Sequence, residues 1–252
     1  MILTVDIGNT RVKWVLYQDS VMLDHGVFGY TLETFREVVA SAKMPLKDVE
    51  VFISNVSGLE TERLFIEILN ASGCKKYVFA QSQREQCGVT NSYGDFSQLG
   101  VDRWLAMIAG FNHEKKLPEE SVCVIDCGTA VTLDMVDTRG IHLGGVIAPG
   151  FQLMRSMLLQ SANGISGLSK SMDVSSMSLA KTTDEAVDQG CAQILIGGLD
   201  AMISRYFSCQ SSNMCCLVTG GDGAWVAGSL EFEALFVPML VNDGLQCISR
   251  EM

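Results

Sequence analysis

Two stretches share the pattern that decides the fold: VDIGNTRVKWVLYQDS, residues 5–20, and VIDCGTAVTLDMVD, residues 124–137. In each stretch an apolar run reaches an Asp, a Gly follows two positions later, and a second run rich in β-branched residues comes after it. Apolar runs on either side of such a glycine predict a strand, a tight turn and a second strand. The two copies stand about half a chain apart, which indicates a duplicated domain.

The residue types at the two turns suit phosphate binding. Glycine lets a turn bend so that backbone N–H groups converge on one point, and Asn9, Thr10 and Thr129 add side-chain donors. The carboxylates of Asp6 and Asp126 repel phosphates unless a cation lies between them, so they suit hydrated Mg²⁺ or a monovalent cation. Either hairpin alone is explained as well by an Asp that caps its own turn. The pair favours two loops that face each other across a nucleotide cleft.

Composition limits the function classes. The chain has 252 residues, enough for two domains, and a net charge of −11, which argues against nucleic-acid binding. Nine cysteines without paired C-x-x-C motifs predict reduced thiols in a cytoplasmic protein, and three scattered histidines argue against a zinc site. We expect no membrane partner, because no apolar run is long enough to span a bilayer.

Strand and helix patterns alternate along the chain, which predicts an α/β layer structure. The polar stretch at 112–121 predicts a boundary between an N-terminal domain, 1–117, and a C-terminal domain, 118–252. Outside the two hairpins the patterns predict strands at 21–30, 49–56 and 76–80, helices at 31–44, 59–73 and 184–207, a long loop at 161–178, and a strand that runs into a glycine loop at 215–223.

The sequence GVDRW, residues 100–104, opens a helical pattern with an adjacent Asp and Arg. One interpretation makes Asp102 a helix N-cap and Arg103 a solvated residue of the first turn. The other makes Asp102 an acceptor for a hydroxyl proton and Arg103 the partner of an anionic group. The residues alone leave these alternatives balanced.

The two hairpins, followed by Thr219-Gly220-Gly221 after an apolar strand, resemble the actin, sugar-kinase and Hsp70 ATPase superfamily. That resemblance implies two duplicated actin-like, ribonuclease H-like α/β domains with a nucleotide cleft between them and an adenosine-contacting glycine pair. The motifs DIGNT, GVDR, DCGTAVT, GGVIAPG, TTDEAVDQG and TGGDG occur in the order found in type III pantothenate kinases and cover nearly the whole chain. Similarity to that family implies ATP-dependent phosphorylation of pantothenate to 4′-phosphopantothenate, the first step of coenzyme A synthesis.

The resemblance also implies roles for individual positions. Asp102 is the expected proton acceptor, Asp126 the ligand of a monovalent cation (K⁺ or NH₄⁺), and Asp6 a holder of Mg²⁺ through water. Thr183, or the adjacent Thr182, is expected to reach pantothenate across a homodimer interface. The expected ATP contacts are Asp6, Ile7, Gly8, Asn9, Thr10, Arg11, Val12, Lys13 and Thr129, and the expected pantothenate contacts are Tyr93, Gly100, Val101, Asp102, Arg103 and Thr183.

Two positions depart from the family pattern. Phe96 stands where the family often has a proline, and Thr182 stands where it usually has an Asn. Two other functions remain open at this stage. One is a different kinase or phosphatase of the same superfamily, and the other is a non-catalytic nucleotide-binding regulator, against which the intact acidic residues argue.

Overall fold

The computed structural model describes residues 1–29, 46–161, 179–207 and 213–251. The helix predicted at 31–44 and all but the first residue of the loop predicted at 161–178 lie outside those residues. Within them the strands are β1 (Ile2–Ile7), β2 (Arg11–Gln18), β3 (Val21–Gly29), β4 (Glu50–Asn55), β5 (Lys76–Phe79), β6 (Glu85–Gln86), β7 (Val89–Thr90), β8 (Ser121–Cys127), β9 (Ala130–Val136), β10 (His142–Pro149), β11 (Met214–Thr219) and β12 (Leu235–Phe236).

The described helices are α1 (Leu59–Ala71), α2 (Val101–Phe111), α3 (Phe151–Ser161), α4 (Thr183–Phe207), α5 (Gly223–Ala227) and α6 (Leu240–Ser249). Two 3₁₀ turns occupy Leu46–Asp48 and Phe96–Gln98. Both hairpins and the elements predicted at 21–30, 49–56, 59–73, 76–80 and 184–207 are confirmed to within a few residues. Helices α3, α5 and α6 and strands β6, β7, β10 and β12 were not predicted.

The chain forms two compact units. The first contains Met1–Pro118, Met135–Gly144 and Met239–Met252, and the second contains Glu119–Asp134 and Gly145–Pro238. The sequence boundary at 117/118 stays a prediction. The first unit instead extends to residue 118 and also includes two later segments. These segments are the tip of the β9–β10 hairpin and helix α6, which pack against the first unit.

The same strand order occurs twice. The first sheet runs β3-β2-β1-β4-β5 and the second runs β10-β9-β8-β11-β12. In the first sheet β1 pairs antiparallel with β2 and parallel with β4. In the second sheet β8 pairs parallel with β11, the equivalent of β4. The duplication inferred from the two hairpins is therefore present in the sheet topology.

Strand β1 contacts an apolar environment on one face and a polar environment on the other, because its side chains alternate between the faces of the sheet. Leu3, Val5 and Ile7 join one buried apolar cluster with residues of α1. Thr4 and Asp6 point to the other face, where the amide of Asn242 on α6 donates to the Thr4 hydroxyl (3.1 Å) and carbonyl (3.2 Å). The acidic residue at the end of β1 therefore lies outside the apolar cluster although its strand is buried.

Helix α6 is held to the first sheet by a second buried polar contact. The Tyr17 hydroxyl on β2 donates to Asp243 Oδ1 at 2.7 Å. Burial raises the pKa of both groups, and the Asp243 charge raises that of Tyr17 further. The last helix of the chain is thus part of the first unit, which the sequence division at 117/118 does not anticipate.

Helix α4 leaves part of its apolar surface exposed. Leu195, Leu199 and Ile203 are buried, but Ile194 is 69% exposed and Tyr206 is 46% exposed. The apolar residues of α4 therefore occupy more than one face of the helix. Within the described residues, none of the helices has the length and apolar character needed to cross a membrane.

Candidate functional site

The first hairpin turn is fixed by hydrogen bonds on both sides. The Gly8 N–H donates to the Arg11 carbonyl (3.1 Å), and the Ser57 hydroxyl donates to the Gly8 carbonyl (2.6 Å). At the turn, Asn9, Thr10 and Arg11 are exposed. The turn thus presents the polar residues expected to contact a ligand on a backbone that is held in place.

Asp6 lies in β1, two positions before Gly8 of the turn, and is 9% exposed. Lys13 is its direct partner in the antiparallel register between β1 and β2. Opposite charges at such cross-strand positions stabilise the pair. The predicted site residues Asp6–Lys13 therefore form one continuous hairpin of the first unit, with an acidic and a basic residue at paired positions.

The second hairpin turn is tighter and is joined to two other segments. The Gly128 N–H donates to the Ala130 carbonyl (3.0 Å), while the Thr129 and Cys127 carbonyls accept from the N–H groups of Gly150 (3.0 Å) and Asp222 (3.1 Å). Thr129 is exposed at the turn. The motifs DCGTAVT, GGVIAPG and TGGDG, separate in sequence, thus meet within the second unit.

Asp126 lies on β8 directly beside Thr219 of β11 in the parallel register. Burial, then the charges of Asp126 and Asp222, raises the pKa of the neighbouring Cys127 thiol. A thiol in that environment stays protonated at neutral pH and is a poor nucleophile or metal ligand. The chemistry of this turn therefore rests on oxygen and backbone groups.

The turn GVDR begins helix α2, and two details of the first interpretation are wrong: Asp102 is not the N-cap residue, and Arg103 is not solvated. Gly100 occupies the N-cap position, and Asp102 lies in the first turn, where its carboxylate accepts from the Arg103 N–H at 2.8 Å. Arg103 is not solvated but is 7% exposed. Its Nη1 donates to the Tyr93 hydroxyl at 3.1 Å, and its guanidinium carbon lies 5.8 Å from the Tyr93 ring centroid.

Tyr93, Asp102 and Arg103 therefore meet at the start of α2. A buried guanidinium is costly unless hydrogen bonds and charges compensate it. Such cations commonly mark sites that recognise carboxylate or phosphate groups. The geometry brings together the predicted proton acceptor, the predicted anion partner and the predicted substrate tyrosine, all within the first unit.

The segment between Tyr93 and α2 lacks the proline common in the family but is ordered by side chains. Asp95 caps the 3₁₀ turn by accepting from the Ser97 N–H (3.1 Å) and hydroxyl (2.6 Å). These bonds hold the pKa of Asp95 below its usual value. The buried Asn91 accepts from the Tyr93 N–H (3.0 Å) and donates to the Phe96 carbonyl (3.3 Å).

A cavity of about 600 Å³ lies in the first unit at the carboxyl ends of β4 and β5. Its lining includes Asn55, Glu62, Ser82, Gln98, Gly100 and Val101. Ligands of open α/β sheets bind at the carboxyl ends of their strands. Two of the predicted pantothenate contacts, Gly100 and Val101, therefore adjoin a space large enough for a small molecule.

The two candidate threonines occupy different positions at the start of α4. The Thr182 hydroxyl accepts from the Glu185 N–H (3.3 Å), and the Glu185 carboxylate accepts from the Lys181 N–H (3.2 Å). This reciprocal arrangement resembles a capping box, and its T-x-x-E spacing was already readable in the sequence. Thr183 is the first helical residue and is exposed.

Two side-chain contacts in the structure were not predicted from the sequence. Arg155 on α3 and Asp188 on α4 form a buried ion pair, Nε to Oδ1 at 2.6 Å, with side chains 14% and 9% exposed. His142 at the start of β10 stacks on Tyr93. Neither carries a sequence signal, because their partners are distant along the chain.

The donor chemistry fits a hydrated cation better than a protein-enclosed one. Among the described residues, no group of three or more His, Cys, Asp or Glu is placed to hold a metal ion. Mg²⁺ retains several waters and binds through one or two carboxylates together with substrate phosphates. Single carboxylates at the ends of β1 and β8 match that mode of binding.

The close packing of Gly220 gives a direct test of the second turn. Gly220 has φ +95°, and a Cβ there would overlap the Cys127 backbone. We expect Gly220→Ala to lower the free energy of unfolding by roughly 2–4 kcal/mol through backbone strain and overpacking. Urea unfolding of the wild type and the variant measures this difference in the free energy of unfolding.

The matched control is Gly228→Ala, where the added methyl meets only ordinary contacts at 3.7 Å and beyond. That variant should stay within about 0.5 kcal/mol of the wild type. Equal stabilities for the two variants would contradict the close contact between the Gly220 and Cys127 backbones.

Comparison with known proteins identifies the family. A family model described as type III pantothenate kinase matches residues 2–205. The type III pantothenate kinase of Alcanivorax borkumensis is 32% identical over 254 residues, covering 99% of this chain and 98% of that protein. The corresponding enzyme of Pseudomonas putida is 35% identical over 249 residues and covers 97% of each.

Structural comparison agrees with the fold. A Sinorhizobium meliloti protein described as a 2-dehydro-3-deoxygalactonokinase superposes with a TM-score of 0.60 and 12% identity, covering 100% of this chain and 99% of that one. Identity this low shows the fold alone, and it confirms the predicted pair of actin-like α/β domains. Taken with the full-length sequence matches, these findings show that the chain belongs to the type III pantothenate kinase family.

Proposed function

We propose that this protein transfers the γ-phosphate of ATP to the terminal hydroxyl of pantothenate, giving 4′-phosphopantothenate in the first step of coenzyme A synthesis. The observation that carries the proposal is the buried contact between Arg103 and Tyr93 beside Asp102, in a chain of this family. The positive charge of Arg103 is selective in a protein of net charge −11, because anionic substrates are repelled elsewhere on its surface.

Asp102 is the proposed general base. In the structure its carboxylate accepts the Arg103 N–H, which orients the side chain at the helix start. A carboxylate held in this way accepts the proton of the attacking hydroxyl as the O–P bond forms, and ADP leaves with the electron pair of the broken bond. Arg103 supplies positive charge to the pantothenate carboxylate or to the transferring phosphoryl group.

Each hairpin turn carries proposed ATP contacts. Residues 6–13 and Thr129 supply backbone and side-chain donors, as such turns do in phosphate-binding loops. Asp6 would hold Mg²⁺ through water, and Asp126 would hold a monovalent cation. Bound there, the cations would neutralise phosphate charge, and the protein would contribute mainly positioning and electrostatic stabilisation.

The exposed apolar residues of α3 and α4 support a homodimer. Met157 and Leu158 on α3, with Ile194 and Tyr206 on α4, are each more than 40% exposed. Large exposed apolar side chains on neighbouring helices are typical of subunit interfaces. We propose that a second copy of this chain covers these apolar side chains.

ATP dependence and reduced thiols further support a cytoplasmic location.

Thr183 is the proposed contact to pantothenate in the partner subunit. Both threonines are exposed, but the Thr182 hydroxyl accepts from the Glu185 N–H as a helix cap, whereas Thr183 is the first residue of the helix. Asp188 lies between one and two turns beyond Thr183 on α4, and its ion pair with Arg155 joins α3 to α4, so the pair would hold the start of α4 in place.

Substrate choice tests the proposed function. We expect coupled ADP release with pantothenate to exceed release with any of a panel of sugars and sugar acids, and to fall when K⁺ or NH₄⁺ is replaced by a large organic cation. A sugar as the best acceptor would favour another kinase of the superfamily. ATP binding without turnover of any acceptor would favour a regulator.

Subunit mixing tests the shared site. Asp102→Asn and Thr183→Ala should each be nearly inactive, and mixing them after reversible dissociation should restore about a quarter of wild-type activity, because half of random pairs are mixed and each has one intact site. Independent sites would restore nothing.

Thr182→Ala is the matched control for that experiment. It should cost about 1 kcal/mol of stability through loss of the cap while keeping most activity. If Thr182→Ala were inactive and Thr183→Ala active, the assignment of the two threonines would be reversed.

A further inference from the structure

His142 is a nearly inaccessible imidazole that has no role in the proposed mechanism. It is 1% exposed and begins β10. Its Nδ1 lies 3.1 Å from the Ser92 hydroxyl oxygen. Its ring lies almost parallel to the Tyr93 ring, with centroids 6.0 Å apart and an interplanar angle of 16°.

A turn held by hydrogen bonds fixes the position of His142. Between β9 and β10 the Asp137 carboxylate accepts from the N–H groups of Arg139 (2.9 Å) and Ile141 (2.8 Å). The Gly140 carbonyl accepts from the Thr90 N–H at 2.8 Å. Gly140 also packs so closely on the Gly88 carbonyl that a Cβ would overlap it. The turn is therefore tied to the β6–β7 hairpin immediately before Ser92 and Tyr93.

Three groups then define the position of Tyr93. Asn91 holds its backbone N–H, Arg103 donates to its hydroxyl, and His142 covers one face of its ring. Tyr93 itself is only half-buried. Removing the imidazole would open space beside the ring, which would let the phenol leave the Arg103 guanidinium.

We propose that His142 is a positioning residue for substrate binding: through its stack on Tyr93 and its contact with Ser92, it keeps the Tyr93 hydroxyl on Arg103. The proposal rests on the proposed function in assigning Tyr93 and Arg103 to pantothenate. The imidazole acts through Tyr93 and does not touch the reacting atoms. Its loss should therefore weaken pantothenate binding and leave ATP binding and the chemical step unchanged.

The distinguishing experiment is a double-mutant cycle between His142 and Tyr93. His142→Ala should raise the KM and the calorimetric Kd for pantothenate by about 3- to 10-fold, the usual worth of an aromatic pair, with kcat and the ATP KM retained. On a Tyr93→Ala background the same change should add nothing. His142→Phe, which keeps the ring, should rescue most of the loss, and Ser92→Ala should reproduce a part of it.

Tyr17→Phe is the matched control. It removes a buried hydrogen bond in the same unit, away from Tyr93. It should lower stability while leaving the pantothenate KM unchanged. Additive losses for His142→Ala and Tyr93→Ala, or an equal loss of ATP affinity, would overturn the proposal and show that His142 only supports the fold.

A measurement without substrate separates this inference from the proposed function. The chain has five tyrosines, so labelling with 3-fluorotyrosine gives a simple fluorine spectrum in which Tyr93→Phe identifies the Tyr93 signal. His142→Ala should shift that signal and His142→Phe should shift it less. If His142→Ala does not fold, Ser92→Ala carries the test, and a Tyr93 signal that does not move in that variant overturns the proposal. Wild-type protein that does not phosphorylate pantothenate would reject the proposed function alone.

Discussion

The alternation of side chains along β1 is the constraint on which the first unit depends. A strand in the middle of a sheet has two faces, and Leu3, Val5 and Ile7 commit one of them to the apolar cluster with α1. The other face is thereby available for polar groups, and Thr4, Asp6 and Asn242 occupy it. A carboxylate is tolerated at the end of a buried strand because it lies on this second face, next to the turn.

The same arrangement recurs at β8, where Asp126 stands before a glycine turn in a sheet of identical strand order. Duplication therefore preserves both the topology and the location of the carboxylate. The second turn is further tied to two distant segments through the Gly150 and Asp222 N–H groups. A phosphate-binding role requires such fixed turns, since donors that reorganise on binding contribute less than donors already in place.

Sequence patterns were sufficient for most of the local elements and for a set of candidate site residues. Glycine turns between apolar runs identified both hairpins, whereas the roles expected of Asp102 and Arg103 came from the family resemblance. Burial of Arg103 was not predictable, because the Tyr93 hydroxyl that accepts from it is ten residues away. His142 and the Arg155–Asp188 pair were missed for the same reason, and α6 because its contacts with β1 and β2 join the two ends of the chain. Tertiary contacts between distant residues leave no periodic signal.

The start of α2 combines a buried cation, an aromatic hydroxyl and a carboxylate, and the proposed chemistry depends on the carboxylate. Asp102→Asn tests this dependence most directly, because an amide oxygen can still accept the Arg103 N–H while its basicity is lost. Calorimetry and steady-state kinetics on one preparation would measure binding and turnover together. The account predicts that ATP and pantothenate still bind and that kcat falls by roughly 10²–10⁴, the usual contribution of a general base. A variant that binds both substrates and turns over at the wild-type rate would contradict it.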